Sequence, residues 1–284
     1  MTRNELLLSM FDPSGIGLEI GAGFNPLLPK AAGYRVETLD HVTADQLRDK
    51  YRNDPNVDVA RIEEVDFVAD GRPIAEVVGK PGHYDFIVAS HVIEHAPDLL
   101  GLLKDCETLL NQAGTLVLAI PDKRRCFDLL QPLTSTGMIL QAHEERRTRH
   151  PPSALFDDIA YNLLRDGLGG WGKGHAGSLT FVRDLAAAHR FFDDTRGSSV
   201  YIDTHAWRFT PSSFRLVASD LHAIGAMALR EQSFHESDIH EFYIALSPRG
   251  SGCTLDRLTL AKMIIAEHQE IILGSQDLAS SNYG

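Results

Sequence analysis

The sequence is short of several things, and each shortage closes off a class of protein. It holds three cysteines in 284 residues, Cys106, Cys126 and Cys253. Their wide spacing makes neither a CxxC zinc pair nor an even-numbered disulfide framework, so a reducing cytoplasm is the expected compartment. Positive charge is scarce: 27 lysines and arginines stand against 39 acids, a net charge of −12. So acidic a chain repels a phosphate backbone, whose binding comes from Lys and Arg contacts, and no nucleic-acid partner is expected. No apolar stretch reaches the ~18 residues of a membrane span. The leucines of residues 1–10 are too few for a signal-peptide core and fit a short amphipathic helix instead. The chain shows no internal repeat.

What is present has the rhythm of an α/β domain. Short β-rich runs at 16–20, 34–39, within 57–68, 84–90 and 115–120 alternate with helical stretches, the pattern of βαβ units and a parallel sheet. Asp85-Phe-Ile-Val-Ala-Ser90 is nearly all apolar, as a central strand covered on both faces should be. After Pro121 the rhythm breaks. Helical pieces at 153–164 and 179–192 flank a glycine-rich loop at 167–177, in which Trp171 is either a stacking platform on a lid or part of a surface loop. Residues 123–206 are therefore read as an inserted, mainly helical cap, with the core in 1–122 and 207–248. A helix at 211–224 and strands at 226–234 and 239–246, close enough to be antiparallel neighbours, complete the sheet. Residues 249–284 form a C-terminal helix and tail. Its apolar Leu255, Leu258, Ile265 and Ile272 pack on their own domain or join two copies into a homo-oligomer.

The chemistry gathers at strand ends. Glu19-Ile-Gly21-Ala22-Gly23-Phe-Asn25-Pro26 follows the first strand, where an open α/β sheet presents its ligand crevice. Gly21 and Gly23 let a ligand approach the backbone. A dinucleotide fingerprint would place its third glycine at 26, but this chain has proline there. With Asn25 as cap, Pro26 suits a first helical position, yet it removes an N–H that a pyrophosphate would use. A cofactor without phosphates loses nothing by this. Asp40 closes the second strand, where a carboxylate can accept both hydrogens of a ribose diol. Asp70-Gly71 ends the third strand, placed to meet an adenine amino group, and Ser90-His91 ends the fourth.

These segments resemble the successive motifs of class I S-adenosylmethionine-dependent methyltransferases. Tyr84-Asp-Phe-Ile-Val-Ala-Ser-His-Val-Ile-Glu-His-Ala-Pro-Asp98 is similar to their fourth motif, and Leu109-Leu-Asn-Gln-Ala-Gly-Thr-Leu-Val-Leu-Ala-Ile-Pro121 to their fifth strand and its approach. The resemblance covers 16–121 well and 207–246 loosely. It implies a Rossmann-like seven-stranded sheet, S-adenosyl-L-methionine as cofactor and methyl transfer as the activity. It also implies that Glu19, Gly21 and Gly23 hold the methionine end, Asp40 the ribose, and Asp70 with Gly71 the adenine. Ala22, Asn25, His41, Ser90, His91 and His95 are the further cofactor-side candidates; Asn25 stands where many relatives have a third glycine. Ile120-Pro-Asp-Lys-Arg-Arg-Cys-Phe-Asp128 and Trp207-Arg-Phe-Thr-Pro-Ser-Ser-Phe214 resemble a bacterial subgroup linked to glycan or other cell-surface modification. A small-molecule or carbohydrate acceptor, methylated at a hydroxyl, is the expectation.

Competing readings attach to the histidines. His91-Val-Ile-Glu94-His95 matches the HxxEH pattern of an inverted zinc peptidase, which needs a continuous helix. Pro97 disfavours helical geometry at Ala96, so a metal-dependent hydrolase and a non-catalytic cofactor-binding scaffold stand as alternatives only. No metal ligands are assigned, although Glu94 and His95 are the residues through which a metal could assist. His205, in Asp203-Thr-His-Ala-Trp-Arg-Phe-Thr-Pro211, is the first candidate general base and His91 the second, because imidazole titrates near neutral pH. Arg146-Arg147-Thr-Arg149-His150 is either a phosphate- or carboxylate-recognising cluster or a solvated helix end.

Overall fold

The structure, a computed structural model, describes residues 1–274, with side chains to residue 269. Ile272 and the tail from 275 on, assigned above to a C-terminal helix and tail, lie outside the described side chains. In chain order the elements are α1 (Arg3–Leu8), β1 (Gly17–Ile20), β2 (Val36–Asp40), α2 (Ala44–Tyr51), β3 (Phe67–Val68), α3 (Ile74–Val78), β4 (Tyr84–Ser90), α4 (Leu99–Leu109) and β5 (Leu110–Pro121). There follow α5 (Thr136–Glu144), α6 (Pro152–Tyr161), β6 (Leu163–Arg165), β7 (Leu179–Phe181), α7 (Leu185–Thr195), α8 (Pro211–Ala223), β8 (Arg230–His235), β9 (Glu241–Ser247) and α9 (Arg257–Gly274).

Seven strands form one sheet in the order β3-β2-β1-β4-β5-β9-β8. The first five run parallel, and β9 enters antiparallel between β5 and β8. Chain direction along the sheet reverses between β1 and β4, so the crevice of an open α/β sheet falls beyond their carboxyl ends.

The two-residue side-chain period explains why the sheet is covered on both faces. Ile87 and Ala89, Leu116, Leu118 and Ile120, and Phe242, Ile244 and Leu246 point into one core with α4, α5 and α8. Phe86 and Val88, Val117 and Ala119, and Tyr243 and Ala245 point into the other, closed by Leu7 and Met10 of the N-terminal segment and by Leu27 and Leu28. Every residue of β9 is buried. At the other end β3 has two residues, and just before it Asp66 accepts the Thr38 N–H of β2 at 2.7 Å and Glu63 the Lys30 N–H at 2.8 Å, tying the segment to the sheet.

Three local expectations are corrected. Pro26 does not open a helix: residues 21–29 form turns, and the next regular piece is a single 3-10 turn at Lys30–Ala32. Pro29 is the reason, since it bars Leu28 from helical geometry and brings no N–H of its own. The 179–192 stretch is not one helix: Leu179–Phe181 pairs antiparallel with Leu163–Arg165 as a small separate sheet, and α7 starts after it. Asp184 caps α7 by accepting the Ala187 N–H at 2.6 Å. Trp171 is not an exposed platform. It is 5% exposed, packed with Leu129 and Leu163, and the Arg165 guanidinium lies 4.9 Å from its ring centre.

The C-terminal helix meets its own domain through other residues than those expected: Leu258 and Ile265 are 65% and 60% exposed. Glu267 of α9 accepts the Ser212 N–H of α8 at 3.1 Å, and Leu260 is fully buried. No helix among the described residues is long and apolar enough to cross a membrane.

Candidate active site

The glycine turn is held in shape by two carboxylates. Gly21 and Gly23 have φ of 71° and 53°, the left-handed region that glycine enters at no steric cost. Glu19, at the end of β1, accepts the N–H groups of Leu27 at 2.7 Å and Leu28 at 3.1 Å. Burial pushes the Glu19 carboxyl up, against the pull of those two amides. Both its oxygens thus fix the loop from beneath. Asp40, at the end of β2, accepts the Gly23 N–H at 3.1 Å and both the N–H and the Nδ1–H of His41, at 2.7 and 2.6 Å. Ala22, Gly23, Pro26, Thr38, Asp40, Glu63 and Val65 line a cleft here. Asn25 N–H closes the turn on the Ala22 carbonyl at 3.1 Å. A Cβ at Gly21 would come within 2.8 Å of Val92 Cγ2, so the turn touches the segment that follows β4.

Asp70 and Gly71 sit at the end of β3. The Asp70 carboxylate is exposed and takes the Arg72 guanidinium at 2.7 Å, while nothing stands within 4 Å of a Cβ built on Gly71.

Beyond β4 the two halves of the HxxEH run part company. His91 adopts φ 54° and gives Nε2 to Glu241 at 2.8 Å. Arg3 from α1 reaches the same carboxylate at 2.6 Å and donates to Ser90 Oγ at 2.6 Å, and Tyr243 O–H adds a bond at 2.7 Å. Burial opposes the Glu241 charge, but His91 and Arg3 more than offset it and hold its carboxyl at about 2. Ser90 and His91 therefore belong to a charged knot that ties α1 to the middle of the sheet. Residues Ile93–His95 make one 3-10 turn, not the helix a zinc peptidase would need.

His95 and His205 meet by a backbone interlock. The Ala206 N–H donates to the Glu94 carbonyl at 2.8 Å, and Trp207 Nε1–H to the Ala96 carbonyl at 2.5 Å. The rings of His95 and His205 then pack edge to face, 4.7 Å between centres. His205 Nδ1 lies 2.6 Å from Asp128 Oδ2, and His95 Nδ1 2.8 Å from Asp203 Oδ1. A carboxylate can only accept, so each Nδ1 carries its proton and each Nε2 is left for other work. Burial opposes charge on Asp128, but the His205 hydrogen bond and Arg208 leave it below the usual carboxylate range. Burial likewise opposes protonation of His95, yet the Asp203 bond and the Glu94 charge raise it above the ordinary imidazole value. Asp128, Asp203, Arg3 and Glu241 carry much of this geometry, and no spacing signal in the sequence linked them to the histidines.

A methyltransferase-domain family model matches residues 2–165. The chain belongs to that family. It is a class I S-adenosylmethionine-dependent methyltransferase, and S-adenosylmethionine is its cofactor. No curated protein matches it. Among solved structures, a Rhodobacter sphaeroides protein described as a zinc-dependent alcohol dehydrogenase is similar at 15% identity, over 87% of this chain and 89% of that one, with a TM-score of 0.45. A Methanosarcina mazei S-adenosylmethionine-dependent methyltransferase is similar at 13% identity over 85% and 95%, TM-score 0.42. The methyltransferase CalH, in complex with S-adenosylhomocysteine, is 26% identical over 42% of this chain and 36% of its own, TM-score 0.31. The assignment rests on the family match.

The methyltransferase's own residues fit that cofactor. The glycine turn leads into no helix, so the N-terminal dipole and amide ring that hold a pyrophosphate are missing. Asp40, 4% exposed, stands at the cleft as an acceptor suited to a ribose diol. At Gly23 a Cβ would meet nothing nearer than 3.8 Å, which leaves room against the backbone for the methionine end.

Proposed function

We propose that the methyltransferase acts on a hydroxyl of a small-molecule or carbohydrate acceptor, that residues 123–206 form the cap holding that acceptor, and that the work is done in a reducing cytoplasm. The observation that carries the reading is the buried Asp128–His205 pair, docked by the 203–209 segment onto the loop after β4, the same loop whose Val92 abuts the glycine turn. The cofactor supplies a methyl group on a sulfonium, already activated toward displacement. The protein's tasks are to align the acceptor oxygen with it and to manage one proton. Asp128 fixes the His205 tautomer, and His205 Nε2 takes the hydroxyl proton. His91, the second candidate base, is tied to Glu241 and serves position instead. Asp40 holds the ribose and the Gly21–Gly23 turn the methionine end.

A second observation favours an anionic acceptor such as a sugar phosphate. A groove of about 330 Å³ in the cap is lined by Arg146, Arg147, Arg149 and Arg196. His150, on its wall, donates Nε2–H to the His95 carbonyl at 3.1 Å, joining groove and imidazole pair. Free cysteines support the compartment. The test is a screen of cofactor-loaded protein against nucleotide sugars and glycan acceptors, read by mass spectrometry. A gain of one methyl group on a hydroxyl supports the reading; methylation confined to amines or to nucleic acid overturns it.

A further inference from the structure

Glu94 poses a problem that the methyltransferase reading does not solve. Its side chain is 1% exposed, and neither carboxylate oxygen has a hydrogen-bond partner. Desolvating a carboxylate with nothing to receive it costs several kcal/mol, and proteins keep such a group only for a reason. Three imidazoles face it: His91, whose Nδ1 lies 3.5 Å from Glu94 Oε1 while its Nε2 is held by Glu241, and His95 and His205. His95 Nε2 lies 3.9 Å from Glu94 Oε1, and the ligand atoms of Glu94, His95 and His205 all fall within 4.8 Å of one another. It is the one such group among the described residues.

From this geometry we infer that Glu94, His95 and His205 bind a divalent first-row transition ion, with Zn(II) the best match. Two neutral imidazoles and one carboxylate, with a fourth position open, form a donor set that zinc takes in reactive sites. Both imidazoles are prepared for it. Asp203 accepts from His95 Nδ1 and Asp128 from His205 Nδ1, the carboxylate–histidine arrangement that turns Nε2 toward a metal and raises its basicity. Metal–ligand bonds of about 2.0–2.1 Å place tetrahedral ligand atoms about 3.3 Å apart, so the three side chains close by about an ångström when the ion enters. The ion also neutralises Glu94.

Its place beside the crevice gives it a role that rests on the proposed function. The open position takes the acceptor hydroxyl, whose proton passes to solvent water. The oxygen lone pair forms the O–CH3 bond, and the C–S bond breaks with its electron pair returning to sulfur. With the ion bound, His205 Nε2 is a ligand and the ion activates the hydroxyl in its place; the proton-taking role proposed above for His205 is that of the metal-free protein, and the shared premise is the hydroxyl acceptor alone.

The experiment measures metal, not turnover, and so separates this inference from the methyltransferase reading. Chelator-treated full-length protein is titrated with ZnCl2 by calorimetry and with CoCl2 by visible absorption, and S-adenosylhomocysteine binding serves as the folding control for each variant. One equivalent of Zn(II) and the visible bands of four-coordinate Co(II) are expected. Glu94→Gln and His205→Gln should each weaken Zn(II) about 100-fold, and Asp128→Asn about 10–100-fold, as a residue that orients a ligand does. His175→Gln should leave affinity nearly unchanged, since its Nε2 is engaged with Asp166 at 3.1 Å, outside the cluster. Substoichiometric binding to the wild type, indifference to Glu94→Gln or His205→Gln in folded variants, or loss with His175→Gln overturns the site.

Discussion

Asp128→Asn is nearly isosteric, and it strikes the point where buried charge and imidazole orientation meet. Asp128 is 1% exposed and receives His205 Nδ1 at 2.6 Å, with Arg208 Nε at 3.5 Å and Gln131 Nε2 at 3.3 Å on its other oxygen. Removing the charge leaves Arg208 without its buried counter-ion and weakens a charge-assisted hydrogen bond, a loss of about 1–3 kcal/mol in stability. The asparagine amide can also donate, which lets His205 adopt the other tautomer and turn N–H, not lone pair, toward the acceptor. Turnover should fall about 10²–10⁴-fold, the range that a positioned proton-transfer group supplies. S-Adenosylhomocysteine affinity should stay within about twofold, because the cofactor contacts proposed above lie on β1, β2 and the glycine turn and not at Asp128. The assay is steady-state turnover with calorimetry of the product cofactor and nitrogen NMR of His205, whose signal should move from one Nδ1–H tautomer to a mixture. Turnover near wild type, or a loss that travels with cofactor affinity, would refute the reasoning.

Gly21→Ala should weaken S-adenosylhomocysteine binding at least about tenfold, since φ is 71° and the new Cβ would press on Val92; Gly33→Ala, at φ 91° with nothing within 4 Å, should cost stability alone. Both effects are read by calorimetry and urea unfolding. Glu241 has a depressed folded-state value of about 2, so its contribution is present above the unfolded carboxylate value of about 4.3 and is lost as pH falls through about 2. With Arg3 partly exposed, the contribution is about 2 kcal/mol near pH 6, and the urea-unfolding gap between wild type and Glu241→Gln should narrow by about half at pH 3. A gap that widens on acidification contradicts this sign. Arg149→Gln with Arg196→Gln should raise the acceptor KM while leaving cofactor affinity unchanged; an unchanged KM would remove the groove from acceptor binding.

The sheet was legible because its strands are written in local terms. Phe86 to Ala89 and Leu116 to Ile120 are apolar runs of strand length, and Asp40 and Ser90 fall at strand ends as the alternation required. Legibility failed where a distant partner overruled the local signal. Pro26 reads as a helix start, but the chain obeys Pro29 and the Glu19 carboxylate instead. Leu179–Phe181 has helical neighbours and becomes a strand because Leu163–Arg165 offers it an edge. The candidate site divides the same way. Glycine turn and acids were visible in sequence, whereas Asp128 and His205 are 77 positions apart, and His95 and Asp203 108 apart. Only the docking of 203–209 on the loop after β4 brings these pairs into one place.

The central claim, an S-adenosylmethionine site organised by Asp40, is tested most directly by titrating wild type and Asp40→Ala with S-adenosylhomocysteine and with NAD. Wild type should bind S-adenosylhomocysteine stoichiometrically and NAD not measurably. Asp40→Ala should weaken the first by about 1–3 kcal/mol, through loss of a charged acceptor at the ribose diol. NAD binding without S-adenosylhomocysteine binding, or equal S-adenosylhomocysteine affinity in the two proteins, would contradict it.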